Sequence, residues 1–192
     1  MGTNIWQGHL VRLRAVEPVD AETHYIWNQD SVMARRVDHA WFPTSHARAR
    51  EWAEAAGRRG VDHDDAFEFE IETLAGEHVG SIGTHSCDRR AGTFAYGLGI
   101  REKQQRHGYA SEAILLTCRY YFGELRYQKV TPSVYSFNEP SMRLHERLGF
   151  TLEGRLRRMV YTAGQHFDLL YFGMTAEEFA ERHADSLPSD NL

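Results

Sequence analysis

The spacing of apolar positions along this chain changes period several times, and each change predicts an element. His9 to Ala15 reads HLVRLRA, alternating apolar with basic side chains as a half-buried strand does. Glu17 to Asn28, with Pro18 near its start, reads as a helix. So does Ser45 to Arg59, where Ser45 is placed to cap and Ala47, Ala49, Trp52, Ala53 and Ala56 recur at helical steps. RRVDHAWFP lies between them and puts Trp41, Phe42 and Pro43 in a loop.

Alternation returns at AFEFEIET, Ala66 to Thr73, with Phe67, Phe69 and Ile71 on one face and Glu68, Glu70 and Glu72 on the other. Turns at Ala75-Gly76 and at Asp88 to Gly92 lead into HVGSIGTH and TFAYGLGI, which predicts a three-strand meander. The period then lengthens. Ala110, Ala113, Ile114, Cys118, Tyr121, Phe122 and Leu125 follow the three- and four-residue steps of an amphipathic helix. Lys129 to Phe137 reads as a strand, although Pro132 cannot donate a ladder bond and implies an edge, a bulge or an unpaired side. Asn138 caps a short helix that carries Pro140 and ends at Gly149, and Phe150 to Met174 reads as two strands joined near Ala163-Gly164. Beyond about Phe179 the chain is polar and is expected to fray. This order predicts a mixed α/β (α+β) fold. No linker or repeat interrupts it, so residues 1–192 read as one domain with an ordered core over about 8–178.

Composition narrows the function classes. At 192 residues and 42% hydrophobic, the chain can bury a sizeable core, and a net charge of −5 argues against a broad electrostatic grip on nucleic acid. Its two cysteines, Cys87 and Cys118, are too few for a disulfide framework and suit a reducing compartment. No apolar run approaches the length of a membrane span, MGTNIWQGHL lacks the apolar segment of a signal peptide, and Trp6 stands where a myristoylation site wants Ser or Thr. The expectation is a cytoplasmic protein with no nucleic-acid or membrane partner. Its eleven histidines are dispersed without HExxH or CxxC companions, so no metal is expected. GLGIRE, Gly97 to Glu102, lacks the third glycine of a dinucleotide fingerprint, and no G-x-S-x-G or Walker lysine motif appears.

The chemistry concentrates at QQRHGYASEA, Gln104 to Ala113, where a glycine and several donors precede a helix. The first N–H groups of a helix are unsatisfied and sit at the positive end of its dipole. Gly108 removes a side chain where an anion would approach, and Arg106 adds charge, so the stretch reads as an anion site, most naturally for a pyrophosphate.

QRHGYA, Gln105 to Ala110, resembles the Q/R-x-x-G-x-G/A signature of the GCN5-related N-acetyltransferase (GNAT) family. Downstream, VYSFNEPSMRLHERLGF, Val134 to Phe150, resembles that family's second signature, N-x-x-S-x-x-L-x-x-x-L-G-F. The resemblance spans nearly the whole chain, from about Leu10 to about Met174, and is nearest the RimJ/RimL-like branch that acetylates ribosomal-protein N-termini, polyamines and antibiotics. It implies a central, mostly antiparallel twisted sheet flanked by helices, with splayed fourth and fifth strands and acetyl-CoA in the gap. Leu98, Gly99 and Ile100 would pair with the pantetheine arm. Gln105, Arg106, His107, Gly108, Tyr109, Ala110 and Ser111 would cradle the pyrophosphate. Asn138 would hydrogen-bond along the cofactor, and Ser141 would lie near the thioester sulfur. A homodimer would also be in keeping with the family.

One position departs from the pattern. Many members carry a tyrosine where this chain has His145, and that hydroxyl is the usual acid for the leaving thiolate. Ser141 is therefore the expected donor, with His145 assisting through water or only packing. On the other side of the reaction, Glu70 or His85 would accept the amine proton. Glu68, Glu70 and Glu72 form either an acidic wall for an ammonium or, the plainer reading, a solvated face paired with Arg12 and Arg14. His85 is either a base or an ordinary surface histidine. Tyr25, Trp27, Trp41 and Phe42 make either a lid over the acceptor or part of the core, and Asp168 is either structural or substrate-facing. The function implied is acetyl transfer from acetyl-CoA to a primary amine in a ternary complex. The alternative is an acyl-CoA-binding sensor that has lost catalysis.

Overall fold

The structure, a computed structural model, describes residues 4–40, 42–59 and 65–187. Strand β1 (Val11–Ala15) begins two residues later than alternation suggests, because the N–H groups of His9, Leu10 and Val11 all donate to the Glu112 carboxylate at 2.7 Å. A 3-10 turn at Pro18–Asp20 leads into helix α1 (Ala21–Trp27), so the element expected from Glu17 is helical but divided. Helix α2 (Ser31–Val37) was not expected. Asp30 caps it, accepting from Val32 N at 2.9 Å and Met33 N at 3.1 Å. Helix α3 (His46–Gly57) follows, capped by Ser45, whose Oγ accepts from Arg48 N.

Strands β2 (Glu68–Thr73), β3 (His78–Asp88) and β4 (Thr93–Ile100) form the expected antiparallel meander, and helix α4 (Tyr109–Gly123) crosses the sheet to β5 (Lys129–Val130). Pro132 then divides the expected strand, which resumes as β6 (Ser133–Tyr135). The Pro132 carbonyl accepts from Phe172 N at 3.0 Å, so the donor proline lacks would have faced the last strand rather than a gap beside β4. Helix α5 (Glu139–Leu148), the hairpin of β7 (Thr151–Thr162) and β8 (Gln165–Thr175), and helix α6 (Ala176–His183) complete the order. At the hairpin tip Ala163 and Gly164 both have positive φ, 50° and 81°, as a type I′ turn requires. Helix α6 corrects the expected fraying after Phe179. Thr175 and Glu178 close a capping box, and His183 Nε2 donates to the Leu148 carbonyl at 2.8 Å.

The eight strands run β1-β2-β3-β4-β5-β8-β6, with β7 on the other side of β8. One sheet face carries Leu13, Ile71, Ile82 and Phe94 into a core completed by Ile114, Leu116, Cys118 and Tyr121 of α4. The Phe94 and Tyr121 rings stack at 4.1 Å. The opposite face meets α1–α3, where Val16, Ala21, Ala49 and Ala53 form a second small core. No described helix is long and apolar enough to cross a membrane.

Candidate active site

The sheet opens between β4 and β5. These strands pair in parallel only at Thr93 with Lys129 and Phe94 with Val130, and Thr131 N adds a bond to the Phe94 carbonyl at 2.7 Å. Because both polar groups of a strand residue point to one edge and alternate along the chain, Tyr96, Leu98 and Ile100 face the same edge as Phe94. Arg101 confirms the phase, since its N–H turns the other way, to Val79 O at 2.9 Å. Beyond Phe94 the strand therefore presents a row of backbone groups at Tyr96 and Leu98 that have no partner among the described residues, while the Ile100 carbonyl accepts from Gln105 Nε2 at 3.1 Å. An extended, amide-bearing ligand can add to such an edge as a further strand.

At the end of that edge a 3-10 turn, Glu102–Gln104, delivers the chain to α4. Arg106 and Gly108 both adopt left-handed backbone, at φ 68° and 88°. That conformation curls successive N–H groups into an anion-binding concavity at the helix start. The N–H groups of Gly108 to Ser111 donate to no acceptor among the described residues. A Cβ added at Gly108 would stand 3.0 Å from Leu10 Cδ1, tighter than ordinary van der Waals contact. A free strand edge running into an N–H-lined cradle suits the pantetheine amides and pyrophosphate of acetyl-CoA.

Helix α5 flanks the gap. Asn138 caps it, its Oδ1 accepting from Ser141 N at 3.4 Å, while its Nδ2 donates to the Arg36 carbonyl of α2 at 3.2 Å. Asn138 thus ties two helices together. The Ser141 hydroxyl is half-buried and makes no hydrogen bond among the described residues. His145 is only 3% exposed and is committed at both nitrogens. Its Nδ1 lies 2.8 Å from the Ser141 carbonyl, which can only accept, so Nδ1 carries the proton and Nε2 accepts from the Tyr96 hydroxyl at 2.9 Å. Burial depresses the His145 pKa, only partly offset by the Ser141 carbonyl, and burial raises that of Tyr96. The pair is neutral and enclosed by Phe150 and Phe172.

On the α1–α3 face the glutamates divide. Glu72 pairs with Arg12 at 2.5 Å and Arg14 at 3.5 Å, as the plainer reading expects. Glu70 departs from it, because it is completely buried and not solvated. Its Oε1 lies 2.7 Å from His24 Nε2, and its Oε2 lies 2.6 Å from His78 Nε2, which also lies 3.0 Å from the Gly80 carbonyl. Desolvation raises the Glu70 pKa, but the two imidazoles outweigh it and hold the carboxylate below its ordinary value. His24 packs against Trp27 at 5.0 Å and Trp52 at 4.3 Å. His24, His78 and Trp52 had no signal at short spacing, since only tertiary packing joins them.

The remaining candidates scatter. His85 is exposed, with Nδ1 3.1 Å from Ser86 Oγ. Trp27 belongs to the His24 cluster, Tyr25 stacks on His46 at 3.6 Å, Phe42 is 89% exposed, and Trp41 lies outside the described residues. Asp168 accepts from Arg155 Nε at 2.6 Å and Arg158 N at 2.8 Å, pinning the bulge in β7. Cys118 is buried and its thiol is pushed far above its usual range by burial. Among the described residues no group of three or more His, Cys, Asp or Glu side chains is placed to hold a metal ion.

A mostly antiparallel sheet split beside its fourth strand, with the following helix starting at the end of that split, defines the acetyltransferase fold. The family model for the acetyltransferase (GNAT) domain matches residues 11–151, and this chain belongs to that family. It is an N-acetyltransferase. Over 184 residues it is 42% identical to the SPbeta prophage-derived uncharacterized N-acetyltransferase YokL of Bacillus subtilis (strain 168), covering 95% of this chain and 99% of the relative. A crystal structure of a probable acetyltransferase matches with a TM-score of 0.80 at 26% identity, over 93% of this chain and 98% of that one. The spermidine N-acetyltransferase of Vibrio cholerae, solved with CoA and spermine, shares the fold at TM-score 0.77 and 18% identity, over 88% of this chain and 97% of that one.

Proposed function

We propose that the protein transfers acetyl from acetyl-CoA to a primary amine, both bound together in the sheet gap. The unpaired β4 edge leading into the N–H cradle carries this reading, because it matches an amide chain ending in a pyrophosphate. Leu98 and its neighbours would hold the amide arm, Gln105 to Ser111 the phosphates, and the Leu98 N–H would polarise a carbonyl lying along the edge. Bound there, acetyl-CoA supplies the acetyl group activated as a thioester. Direct attack in a ternary complex gains from proximity, worth roughly 7–11 kcal/mol at best.

Ser141 is the group left to hydrogen-bond the departing sulfur, since both nitrogens of His145 are engaged in the core. For the acceptor we favour a free amine of the polyamine, antibiotic or peptide N-terminal kind, which the RimJ/RimL-like motifs support. The net charge of −5 suits a cationic acceptor. The test pairs calorimetry of acetyl-CoA binding with thiol release in the presence of spermidine, an aminoglycoside and a peptide with a free N-terminus. Binding with amine-dependent thiol release is the expected result. No binding of acetyl-CoA would overturn the reading.

A further inference from the structure

We propose that Glu68 is the base that takes the proton from the acceptor amine, and that Gly83 and Gly97 form the floor over which that amine reaches it. The inference rests on the transferase reading above. Glu68 pairs with Gly83 of β3, and Gly83 pairs with Gly97 of β4, so the three stand in one row on the face that meets α1–α3. The carboxylate does not stand up from the sheet. A Cβ on Gly83 would run into it, coming within 2.6 Å of Glu68 Cδ, so the side chain lies flat along Gly83 toward β4.

Next in the row the surface opens. A Cβ on Gly97 would meet no atom within 4 Å, and the residue is exposed. Helix α2 closes over the following glycine instead, with Val37 Cγ2 3.1 Å and Met33 Cε 3.4 Å from where a Gly99 Cβ would lie. Neighbouring strands are about 4.8 Å apart, so a carboxylate above Gly83 is about 5 Å from the space above Gly97, the reach of one bridging water. That space adjoins Leu98, whose N–H faces the gap. Glycines at both positions keep the floor free of side chains.

Glu70, the carboxylate the sequence singles out, is unsuited to the task because it is fully buried between His24 and His78. Glu68 accepts no hydrogen bond among the described residues. The charged groups facing it are Glu70 on its own strand, His24 of α1 and Arg59 beyond α3, and His85 lies two residues along β3 from Gly83 on the same face. Burial first, and then the charge of Glu70, raises the affinity of Glu68 for a proton above that of an ordinary carboxylate. In the step, Glu68 takes one proton from the ammonium through water. The freed nitrogen lone pair bonds to the acetyl carbon as the carbon–sulfur bond breaks. The second N–H proton ends on the sulfur and Glu68 returns its own to solvent. The products are amide, thiol and one proton.

The test uses Glu68→Gln, Gly83→Ala, Gly97→Val and His85→Gln in the full chain. Infrared titration of the carboxylates should show one group in the wild type that protonates above the ordinary carboxylate range and is missing from Glu68→Gln. With the best amine of the panel, Glu68→Gln should lose about a hundredfold in kcat/KM near neutrality. The deficit should shrink as pH rises toward the amine's own pKa, with acetyl-CoA affinity unchanged by calorimetry. Gly83→Ala should reproduce part of the loss by displacing the carboxylate, and Gly97→Val should raise KM for the amine alone. Wild-type kcat/KM and pH profile in Glu68→Gln overturn the base assignment and leave the transferase standing, as does a loss confined to His85→Gln. A protein that binds acetyl-CoA yet acetylates no amine overturns both readings.

Discussion

The Tyr96 hydroxyl donates to His145 Nε2 across 2.9 Å, joining β4 to α5 in the core beside the gap. The Ser141 carbonyl holds the proton on Nδ1, which leaves Nε2 to accept this bond, and burial favours the neutral ring. His145→Phe should therefore leave kcat within a few-fold of wild type. It should also cost about 1–3 kcal/mol in denaturant unfolding, because the buried Tyr96 hydroxyl loses its acceptor. The double variant with Tyr96→Phe should recover part of that cost. A severe loss of kcat in a stable His145→Phe protein would return the acid role to the imidazole.

The same pair predicts a pH dependence of stability. The folded pKa of His145 lies below its ordinary value of 6.5, so the unfolded chain binds the proton more readily. Its contribution is then fully present above pH 6.5 and is lost as pH falls from there toward the depressed folded value. Unfolding free energy measured across this window should decline in the wild type, and the decline should be shallower in His145→Phe.

Cofactor affinity should depend on Gly108. Gly108→Ala forces a side chain into left-handed backbone at φ 88°, 3.0 Å from Leu10 Cδ1. Gly76→Ala is the control, with the same φ of 88° and nothing within 4 Å of the new Cβ. Both should lose stability by about 1 kcal/mol from backbone strain. Only Gly108→Ala should also lose acetyl-CoA affinity by calorimetry. Equal affinities in the two would remove the cradle from the binding site.

The contrast between these sites shows how far residue patterns reach. Loop and helix start were legible because Gln105 to Ala110 is one continuous stretch whose glycine and donors act through local backbone geometry. Helix α2 left no clear pattern although Asp30 stands as its cap, since seven residues give too little periodicity to register before the Trp41-Phe42-Pro43 stretch. Thr175 and Glu178 spelled out a capping box that the polar tail obscured. Glu70 was harder. Alternation placed it correctly on the face opposite Phe69 and Ile71, but period alone cannot say whether a polar face meets water or a second layer of helices. Arg14, its cross-strand partner in register, turns instead to Asp20 at 2.7 Å, and only the docking of α1 brings His24 to the carboxylate.

Neither cysteine should carry the acetyl group. Cys118 has no solvent exposure and its thiol is pushed up by burial, while Cys87 donates to backbone carbonyls of Asp65 and His85. The Cys87→Ser, Cys118→Ala double variant should retain most of its turnover per folded molecule. Initial-rate plots should intersect as a ternary complex requires, rather than run parallel. An acetyl-cysteine trapped by mass spectrometry would defeat this.

Ser141 sits in the first turn of α5, where its amide donates to the Asn138 carbonyl at 3.0 Å, leaving its hydroxyl unbonded among the described residues. A hydroxyl is far too weak an acid to titrate near neutrality, so its contribution would be a hydrogen bond to the charge that grows on sulfur. A bond to a charged group is worth about 1.5–3 kcal/mol, and Ser141→Ala should therefore lower kcat roughly ten- to a hundredfold. Because nothing titrates, the loss should be the same at every pH, whereas removing a titrating acid would erase a basic limb. Acetyl-CoA affinity should hold, since the bond strengthens only as the sulfur gains charge. Replacement by cysteine would add a titrating group and a larger atom, so alanine is the cleaner probe. A pH-independent kcat loss with unchanged affinity supports the hydrogen bond. A wild-type kcat in Ser141→Ala would leave the thiolate to be stabilised by backbone N–H groups and protonated by solvent.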